Sequence, residues 1–431
     1  MTKHRRGTTM SPGLQKVVER AKRDPTARFH SLAHLLDEEA LKRAAGVDNI
    51  DKETYGQRLD ENVRDLHERL QSRRYRHQPI RRVHIPKEKG KTRPIGLSTI
   101  EDKIVQGAVR EVLQAIYEQD FVSGSYGFRP GRSAHDALRA LDRMAFREGV
   151  EWILEADIQE FFDRIDRAKL RELLQVRVAD GSLMRLVGKC LQVGVLDGEE
   201  FAKPDEGTVQ GSVISPLLGN VYLHYALDNW FETEVLPNLS KHARLIRYAD
   251  DFVMGFQSKE DAERTLALLH ERMAEFGLSL HPDKTRLVHF RRPRRRDERA
   301  NTGTFEFLGF VLFWQKSRTG GWRLAMKTRK ARIRRASKSI NEWCRRHRHL
   351  SQAVQHAKLS RKLRGHYQYF GVNGNMRALQ QVFNRARRAW HKWLTRRSQR
   401  SRLTWERYAH YLEAFPLPAP RIRVQIWGRA P

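Results

Sequence analysis

The spacing of apolar residues predicts helices and a β-hairpin in the first third of the chain. Apolar side chains recur every three or four positions, as on one face of an α-helix, at Leu32, Leu35, Leu36, Leu41, Leu59, Val63, Leu66 and Leu70. The same spacing returns between Ile104 and Ile116. Residues 79–87 instead alternate between apolar and polar side chains, which predicts a strand, and residues 88–91 are typical of its turn.

A second strand is predicted at Trp152–Ile158, where alternation buries one face and leaves Glu155 and Asp157 on the other. Residues 244–256 predict a tight hairpin with two Asp at its tip, Asp250 and Asp251. The remaining elements predicted here are a long helix at 216–232, a helix at 265–276 that ends at Gly277, and antiparallel strands at 305–313 and 322–326.

The last quarter of the chain is predicted to be helical and basic. It follows residues 291–304, which are typical of a linker or an exposed loop, and its last helix is broken at 415–420. One apolar stripe at helical spacing is formed by Val382, Phe383, Ala386, Trp390, Trp393 and Leu394.

Charge adds what the pattern of apolar residues does not show. The net charge is +31, and residues 327–431 hold 27 Lys and Arg against 3 Asp and Glu. An excess this large and local indicates a polyanionic partner, and interleaved aromatic side chains favour nucleic acid over a membrane surface. No segment approaches the ~20 apolar residues of a membrane span, and no secretion signal is found, so we expect a cytoplasmic protein. The two cysteines exclude a disulfide framework or zinc knuckle.

Three carboxylates are candidates for the chemistry. Phosphoryl transfer from a nucleoside triphosphate needs two divalent cations, and Mg²⁺ prefers oxygen ligands. Asp157 at the end of a strand could meet Asp250 and Asp251 at a hairpin tip if the two elements were neighbours in one sheet. An Asp pair in a turn is a weak signal by itself, because Asp is common in turns.

Seven ordered blocks make the signal specific: they are IPKEKGKTRPIGLSTIEDKIVQGAV, YGFRPGRSAHDAL, WILEADIQEFFDRID, GTVQGSVISPLLGNVYLHYALD, RLIRYADDFVMGF, GLSLHPDKT and FEFLGF. With them, the chain from about residue 31 to 420 resembles the reverse transcriptases of bacterial group II introns. The resemblance implies an α+β right-hand polymerase of fingers, palm and thumb. The expected parts are a flexible basic N-terminus (1–30), an N-terminal extension with fingers (31–150), a palm (151–326), a helical thumb or maturase domain (327–415) and a C-terminal tail (416–431).

The resemblance implies a role for each matched residue of the active site. Asp157 and Asp250 match the principal ligands of two Mg²⁺ ions, with Mn²⁺ as a substitute, and the backbone carbonyl of Ile158 matches a further ligand. Asp251 is counted with the metal-binding and catalytic residues and is expected beside the primer end. Lys284 is a candidate general acid for the pyrophosphate leaving group.

The same resemblance implies a nucleotide site. Lys87 and Arg93 are expected to bind the triphosphate, although an exposed basic turn would look the same. Phe162 is expected under the incoming sugar, where its ring excludes a 2′-hydroxyl; a core position is the alternative, as expected for Phe161. Gln210 and Gly211 are expected to lie next to the nucleotide and template.

Contacts with RNA are expected at two places. Arg129 and Arg132 are either template contacts or structural residues, and the sequence does not decide between them. In the thumb, where KLRGHYQYFGV (362–372) matches the family, the candidates for phosphate contact are Lys362, Arg364, Arg385 and Arg388.

Several functions stay open at this level. The first is an intron-encoded reverse transcriptase and maturase, whose partners are structured intron RNA, an RNA template with a DNA primer, dNTPs and a DNA target. The second is a domesticated enzyme of DNA repair, phage defence or CRISPR spacer acquisition. The third is a non-catalytic RNA-binding splicing factor. We expect no endonuclease activity, because no cysteine follows Cys344; whether the protein forms a homodimer stays open.

Overall fold

The computed structural model describes residues 10–45, 55–86, 92–197, 200–202, 207–208, 211–294, 302–317, 319–397 and 403–427. The strands are β1 (Ile80–Pro86), β2 (Thr92–Leu97), β3 (Trp152–Asp157), β4 (Val195–Asp197), β5 (Glu200–Ala202), β6 (Ala243–Tyr248), β7 (Asp251–Phe256), β8 (Arg286–His289), β9 (Phe305–Phe307), β10 (Phe310–Lys316) and β11 (Trp322–Thr328).

The α-helices are α1 (Pro12–Arg23), α2 (Glu38–Ala45), α3 (Leu59–Gln71), α4 (Ile100–Asp120), α5 (Ala134–Arg147), α6 (Phe161–Arg164), α7 (Arg167–Gln175), α8 (Gly181–Leu191), α9 (Ser215–Leu223), α10 (Lys259–Glu275), α11 (Lys330–Arg346), α12 (Gln352–Phe370), α13 (Met376–Thr395) and α14 (Trp405–Ala414). No helix of the described part of the chain is long and apolar enough to cross a membrane.

The predicted carboxylates lie on an antiparallel sheet with the strand order β6-β7-β3-β8. Leu154 and Met254 on one face belong to a large core that α4, α9 and α10 complete. Ile153 and Val253 on the opposite face belong to a second core with α5 and β10. The prediction of one buried face for β3 is therefore wrong at Ile153, which is fully buried because the sheet is covered on both sides.

The predicted hairpin at residues 79–97 forms a second sheet. β1 and β2 pair antiparallel from Arg81 with Leu97 to Pro86 with Thr92, which confirms the strand that alternation predicted. β4 adds to β1 in parallel at Ile80 and Val195, and β5 extends the sheet. These two strands of three residues are too short for a periodic signal.

The N-terminal segment, where a flexible basic stretch is expected at 1–30, contains helix α1 (Pro12–Arg23). Ser11 caps α1, Pro12 lies in its first turn, and Leu14, Val17 and Ala21 are buried. These three residues join the core that also contains α2, α3 and α4. The predicted helices at Leu32–Leu41 and Leu59–Leu70 correspond to α2 and α3, with a short 3-10 turn at Ala33–Leu35.

The long helix predicted at 216–232 continues further and changes its winding. After α9 the backbone forms π-helical turns at His224–Asp228 and Phe231–Val235 and a 3-10 turn at Leu236–Asn238. Wider turns of this kind are frequent at functional sites. Here the first π-helical turn ends at Asp228, which is fully buried against the sheet.

The C-terminal helices surround a separate core. β10 and β11 pair antiparallel as predicted, and α11, α12 and α13 follow them. The predicted stripe is confirmed at Val382, Ala386 and Trp390, which are completely buried in this core. Helix α14 ends before Phe415, and residues from there to Trp427 run back along the molecule, with Ile426 buried in the second core.

Candidate active site

Two neighbouring strand ends bring the three predicted carboxylates together. Asp157, the last residue of β3, pairs directly with Asp251, the first residue of β7. Asp251 also pairs with Tyr248 at the end of β6, so Ala249 and Asp250 form the turn between these strands. Ala249 has φ +58°, a left-handed conformation that is uncommon outside glycine. The sequence expectation that three Asp from two elements meet at one edge is supported by this register.

The tip of this hairpin is held by close backbone packing. Ser125 pairs in parallel with Arg247, next to the end of β6. A Cβ atom on Gly127 would lie 2.3 Å from the backbone nitrogen of Ala249, and one on Gly124 would lie 2.4 Å from the carbonyl oxygen of Leu245. Both positions therefore require glycine. Gly127 belongs to the YGFRP block, so the close packing explains the glycine of this block near the carboxylates.

A buried arginine fixes the other side of the hairpin. The Arg247 guanidinium is fully buried and donates to the Asp228 carboxylate at 2.7 Å from Nε. It also donates to the Asn220 side chain at 2.9 Å, to the Ser125 hydroxyl at 2.9 Å and to the Ala249 carbonyl at 3.0 Å. The network joins β6, the π-helical turn at His224–Asp228, and the turn at Ala249 and Asp250. Neither Arg247 nor Asp228 was singled out from the sequence, because only the fold shows that they meet.

Asp251 is anchored by the backbone. Its Oδ2 atom accepts a hydrogen bond from the Leu308 N–H at 3.0 Å, in the turn between β9 and β10. Burial raises the pKa of Asp251 to about 7, and the negative charges of Asp250 and Asp157 act in the same direction. This clustering of negative charge favours a bound cation.

Asp250 and Asp157 face basic side chains. Burial raises the pKa of Asp250, as does the charge of Asp157, whereas the positive charges of Arg93 and Lys284 lower it. The Lys284 ammonium forms an ion pair and hydrogen bond with Asp157 Oδ2. The fold therefore places Lys284, the candidate general acid, next to the carboxylate of Asp157.

The donor set fits a hard divalent cation that binds together with a substrate. Among the described residues, no group of three or more His, Cys, Asp and Glu side chains could hold an ion by itself. Mg²⁺ is commonly bound by one or two carboxylates with water and substrate phosphates, instead of by a complete protein cage. Asp157 and Asp250 carry carboxylate oxygens of this type, and the backbone carbonyl of Ile158 directly follows Asp157 in the chain.

The two predicted triphosphate residues have different outcomes. Arg93 pairs with Ile85 in the β1–β2 hairpin, is exposed, and is close enough to act on the charge of Asp250. The hairpin therefore places the positive charge of Arg93 within electrostatic range of Asp250. Lys87 lies outside the described residues.

Gly211 lies where two backbone segments meet. It has φ +105°, and a Cβ atom there would lie 2.6 Å from the Gly96 carbonyl oxygen on β2. Gln210 is outside the described residues. The residues that follow Gly211 are held by the Gln106 side-chain oxygen, which accepts from the Ser212 hydroxyl and from the Val213 N–H at 2.9 Å each. Gln106 is a buried residue of α4 that the sequence did not single out.

Phe162 and Phe161 follow Asp157 in α6. Phe161 is buried, as expected for a core residue, whereas Phe162 is half-buried at the surface of the same core. The ring centroids are 5.0 Å apart in an edge-on arrangement. A Cβ atom on Gly219 of α9 would come within 3.1 Å of the Phe162 ring. Phe161 and Gly219 thus fix the position of the Phe162 ring, and part of the ring remains exposed to solvent.

Arg129 and Arg132 have internal partners, which favour one of the two alternatives that the sequence left open. Arg129 is 7% exposed and donates to Glu118 at 2.6 Å and to the Val122 carbonyl at 2.7 Å. Arg132 donates to the Ser123 carbonyl at 2.6 Å and lies over the Tyr126 ring. A guanidinium that is buried among protein acceptors favours the structural alternative for Arg129, and the internal partners of the half-buried Arg132 favour the same alternative.

The predicted phosphate contacts on the C-terminal helices are exposed. Lys362 and Arg364 lie on α12, with Lys362 over the Trp343 ring. Arg385 and Arg388 on α13 line a groove together with Lys338 of α11. A row of exposed cations on neighbouring helices is suited to a nucleic acid backbone.

Residues 85–312 match the reverse transcriptase (RNA-dependent DNA polymerase) family, a range that contains β3, the β6–β7 hairpin and all three carboxylates. The chain is 32% identical over 372 residues to protein YkfC of Escherichia coli (strain K12), and the match covers 76% of this chain and 94% of YkfC.

Two further relatives are named after introns. The group II intron-encoded protein LtrA of Lactococcus lactis subsp. cremoris is 30% identical over 322 residues, or 60% of this chain and 51% of that protein. An uncharacterized 91 kDa protein in the cob intron of Schizosaccharomyces pombe is 41% identical over 163 residues, or 38% of this chain and 20% of that protein. The chain thus spans about half of the LtrA protein.

Proposed function

This chain belongs to the reverse transcriptase family, the RNA-dependent DNA polymerases, and we propose that it copies RNA into DNA at Asp157, Asp250 and Asp251 with two Mg²⁺ ions. The register of β3 and β7, which sets Asp157 opposite Asp251 beside the turn at Asp250, carries this proposal. Two divalent cations stabilise the attacking and leaving oxygens of such a transfer, and Mn²⁺ can substitute for Mg²⁺. Asp157, Asp250, Asp251 and the Ile158 carbonyl would hold them.

The remaining site residues select and orient a dNTP in this proposal. Arg93 binds the triphosphate together with Lys87, since a guanidinium and an ammonium neutralise adjacent phosphate oxygens. Phe162 lies under the sugar and excludes a 2′-hydroxyl, and Gln210 and Gly211 line the base pair. Lys284 exchanges its ion pair with Asp157 for the leaving pyrophosphate, to which it donates a proton.

We further propose that the protein binds structured group II intron RNA, assists its splicing and copies it into DNA at a DNA target. The intron-encoded relatives support this assignment. So does the excess of positive charge after residue 327, where Lys362, Arg364, Arg385 and Arg388 are exposed. Because the relatives with the greatest coverage come from bacteria, we place this activity in the bacterial cytoplasm, close to the nucleoid.

Primer extension on an RNA template tests the polymerase assignment. Asp250→Asn removes a ligand charge without changing shape, and we expect extension to fall by at least roughly a hundredfold while RNA binding in a filter assay stays unchanged. Asp142→Asn is a matched control, because Asp142 is a carboxylate on α5, outside the β6–β7 hairpin, and burial raises its pKa to about 6. Equal extension by wild type and Asp250→Asn would refute the catalytic assignment and leave a non-catalytic splicing factor.

Sequencing of co-purified RNA tests the intron assignment. The protein is isolated from its own host and washed at high salt, which removes RNA held only by phosphate contacts. A dominant structured transcript that flanks the gene would support the maturase function. Heterogeneous RNA would contradict it and leave a polymerase that acts without an intron.

A further inference from the structure

The backbone of one residue, Leu308, connects a catalytic carboxylate to the C-terminal helices. The N–H of Leu308 donates to Asp251 Oδ2 at 3.0 Å, and the carbonyl of the same residue accepts from the Tyr369 hydroxyl at 3.0 Å. Tyr369 lies on α12, beyond the family match that ends at residue 312. The active site is thus joined to α12 through a single backbone residue.

The connecting residue is held in a strained conformation. Leu308 has φ +52° and Gly309 has φ +80°, in the two-residue turn between β9 and β10. Turns with both central residues at positive φ favour Asn or Gly at the first of them, so Leu308 is an unfavourable choice. Strained residues of this kind persist where their surroundings fix them, and they cluster at active sites. Hydrogen bonds at both the N–H and the carbonyl of Leu308 fix the conformation of this residue.

Tyr369 itself is fixed on several sides. Its ring stacks on Phe310 with centroids 6.1 Å apart and planes at 19°. Its backbone carbonyl lies 2.8 Å from Nε2 of His135, which is on α5. Tyr369 keeps 36% of its surface exposed, and a tyrosine hydroxyl stays protonated at neutral pH, so it remains a donor. The ring stack and the α5 contact hold the hydroxyl against the Leu308 carbonyl.

We propose that Tyr369 is a positioning residue for polymerisation: its hydroxyl holds the Leu308 carbonyl, which fixes the conformation of this residue, and the Leu308 N–H in turn orients Asp251. The inference rests on the catalytic role proposed for Asp251. This link makes the rate of nucleotide addition depend on the position of α12 relative to the β9–β10 turn. The same helix carries the exposed Lys362 and Arg364. A nucleic acid that displaces or seats α12 therefore changes the position of the catalytic carboxylate.

Tyr369→Phe tests this link, with Tyr367→Phe as its matched control. Tyr367 is two residues away on the same helix, and its hydroxyl donates to the Pro418 carbonyl at 3.2 Å, away from the site. Each variant keeps its ring and loses one hydrogen bond to a backbone carbonyl. Both are compared with wild type in steady-state primer extension at varied dNTP and Mg²⁺, and in thermal unfolding.

We expect Tyr369→Phe to lower kcat by roughly fivefold to tenfold, the effect of one hydrogen bond, with the KM for dNTP unchanged. The Mg²⁺ concentration at half-maximal rate should rise, whereas Tyr367→Phe should leave both quantities within about twofold of wild type. Equal kcat in Tyr369→Phe and wild type would overturn the inference. The same kcat loss in both variants, in proportion to lowered Tm, would also overturn it. Absence of extension by wild type would instead refute the proposed function.

Discussion

Among single residues, Phe162 gives the sharpest test of substrate choice. Its ring is half-buried, held by Phe161 and by the close approach of Gly219. Phe162→Val would open space for a 2′-hydroxyl, and we expect the preference for dNTP over rNTP in kcat/KM to fall by roughly tenfold or more. Phe161→Leu, a change in the adjacent buried ring, should lower Tm and leave the preference intact. An unchanged preference in Phe162→Val would contradict the sugar contact.

The buried pair of Arg247 and Asp228 should be the most sensitive charged contact in the described structure. Asp228→Asn would leave a fully buried guanidinium without its counter-charge, which costs about 3–5 kcal/mol of unfolding free energy. Urea unfolding followed by circular dichroism measures the change. Glu160→Gln in the exposed pair with Arg164 should change stability by less than about 0.5 kcal/mol. A similar small change for Asp228→Asn would show that the pair does not stabilise the fold.

For single residues, the sequence predicts those that stand in a recognisable motif. It misses those whose role depends on a partner that is distant in the chain. Asp157, Asp250 and Asp251 stand in blocks whose order is visible in one dimension. Arg247 depends on Ser125 and Asp228, and Gln106 depends on Ser212, which lies 106 residues later. No local pattern encodes such pairs. The burial of Arg129 was equally invisible, because basic residues are usually exposed.

Among the elements, the contact between Gly211 and β2 should control nucleotide binding. An alanine at Gly211 would clash with the Gly96 carbonyl at 2.6 Å and would be strained at φ +105°. We expect Gly211→Ala to raise the KM for dNTP by roughly tenfold or more, because the β1–β2 hairpin and this loop must separate. Gly277→Ala, at φ +66° with open space around it, isolates the backbone strain and should leave KM unchanged. Equal KM values would contradict the proposed nucleotide contact.

Prediction of elements was accurate for several strands and less accurate for helix α1 and the π-helical turns. The strands β1, β10 and β11 and the β6–β7 hairpin appear as expected. Helix α1 was missed although its signals are present: Ser11 as a cap, Pro12 in the first turn, and Leu14, Val17 and Ala21 at helical spacing. The abundance of basic residues in that segment obscured them. The π-helical turn before Asp228 had no sequence signal.

For the whole molecule, placement of charge should decide how the protein binds RNA. Arg385→Gln combined with Arg388→Gln removes two exposed cations from the α11–α13 groove. We expect the slope of log affinity for intron RNA against log salt concentration to become shallower by between about one and two. The same two changes at exposed Arg171 and Arg185 on α7 and α8 control for total charge. Equal slopes in both double variants would contradict a local phosphate contact.

The arrangement of the domains was only partly accessible from the sequence. The resemblance implied fingers, palm and thumb, and in the structure the C-terminal helices pack around a core cluster of their own. The sequence did not show that the chain returns: Arg139 on α5 donates to the Gln425 carbonyl, and Val372 pairs with Val424. Such contacts between distant segments depend on tertiary packing, which periodicity does not describe.

The order of strands in the catalytic sheet has a consequence for synthesis. β3 has β7 and β8 as its partners, and Lys284 follows Asp157 by 127 residues. At a translation rate of about 5–20 residues per second, the first carboxylate therefore emerges roughly 5–19 s before Asp251, which follows it by 94 residues. During that interval β3 has no strand to pair with and is exposed to aggregation, since non-local pairing is slow. Slower elongation between β3 and β7 should lengthen this exposure and lower the yield of active enzyme.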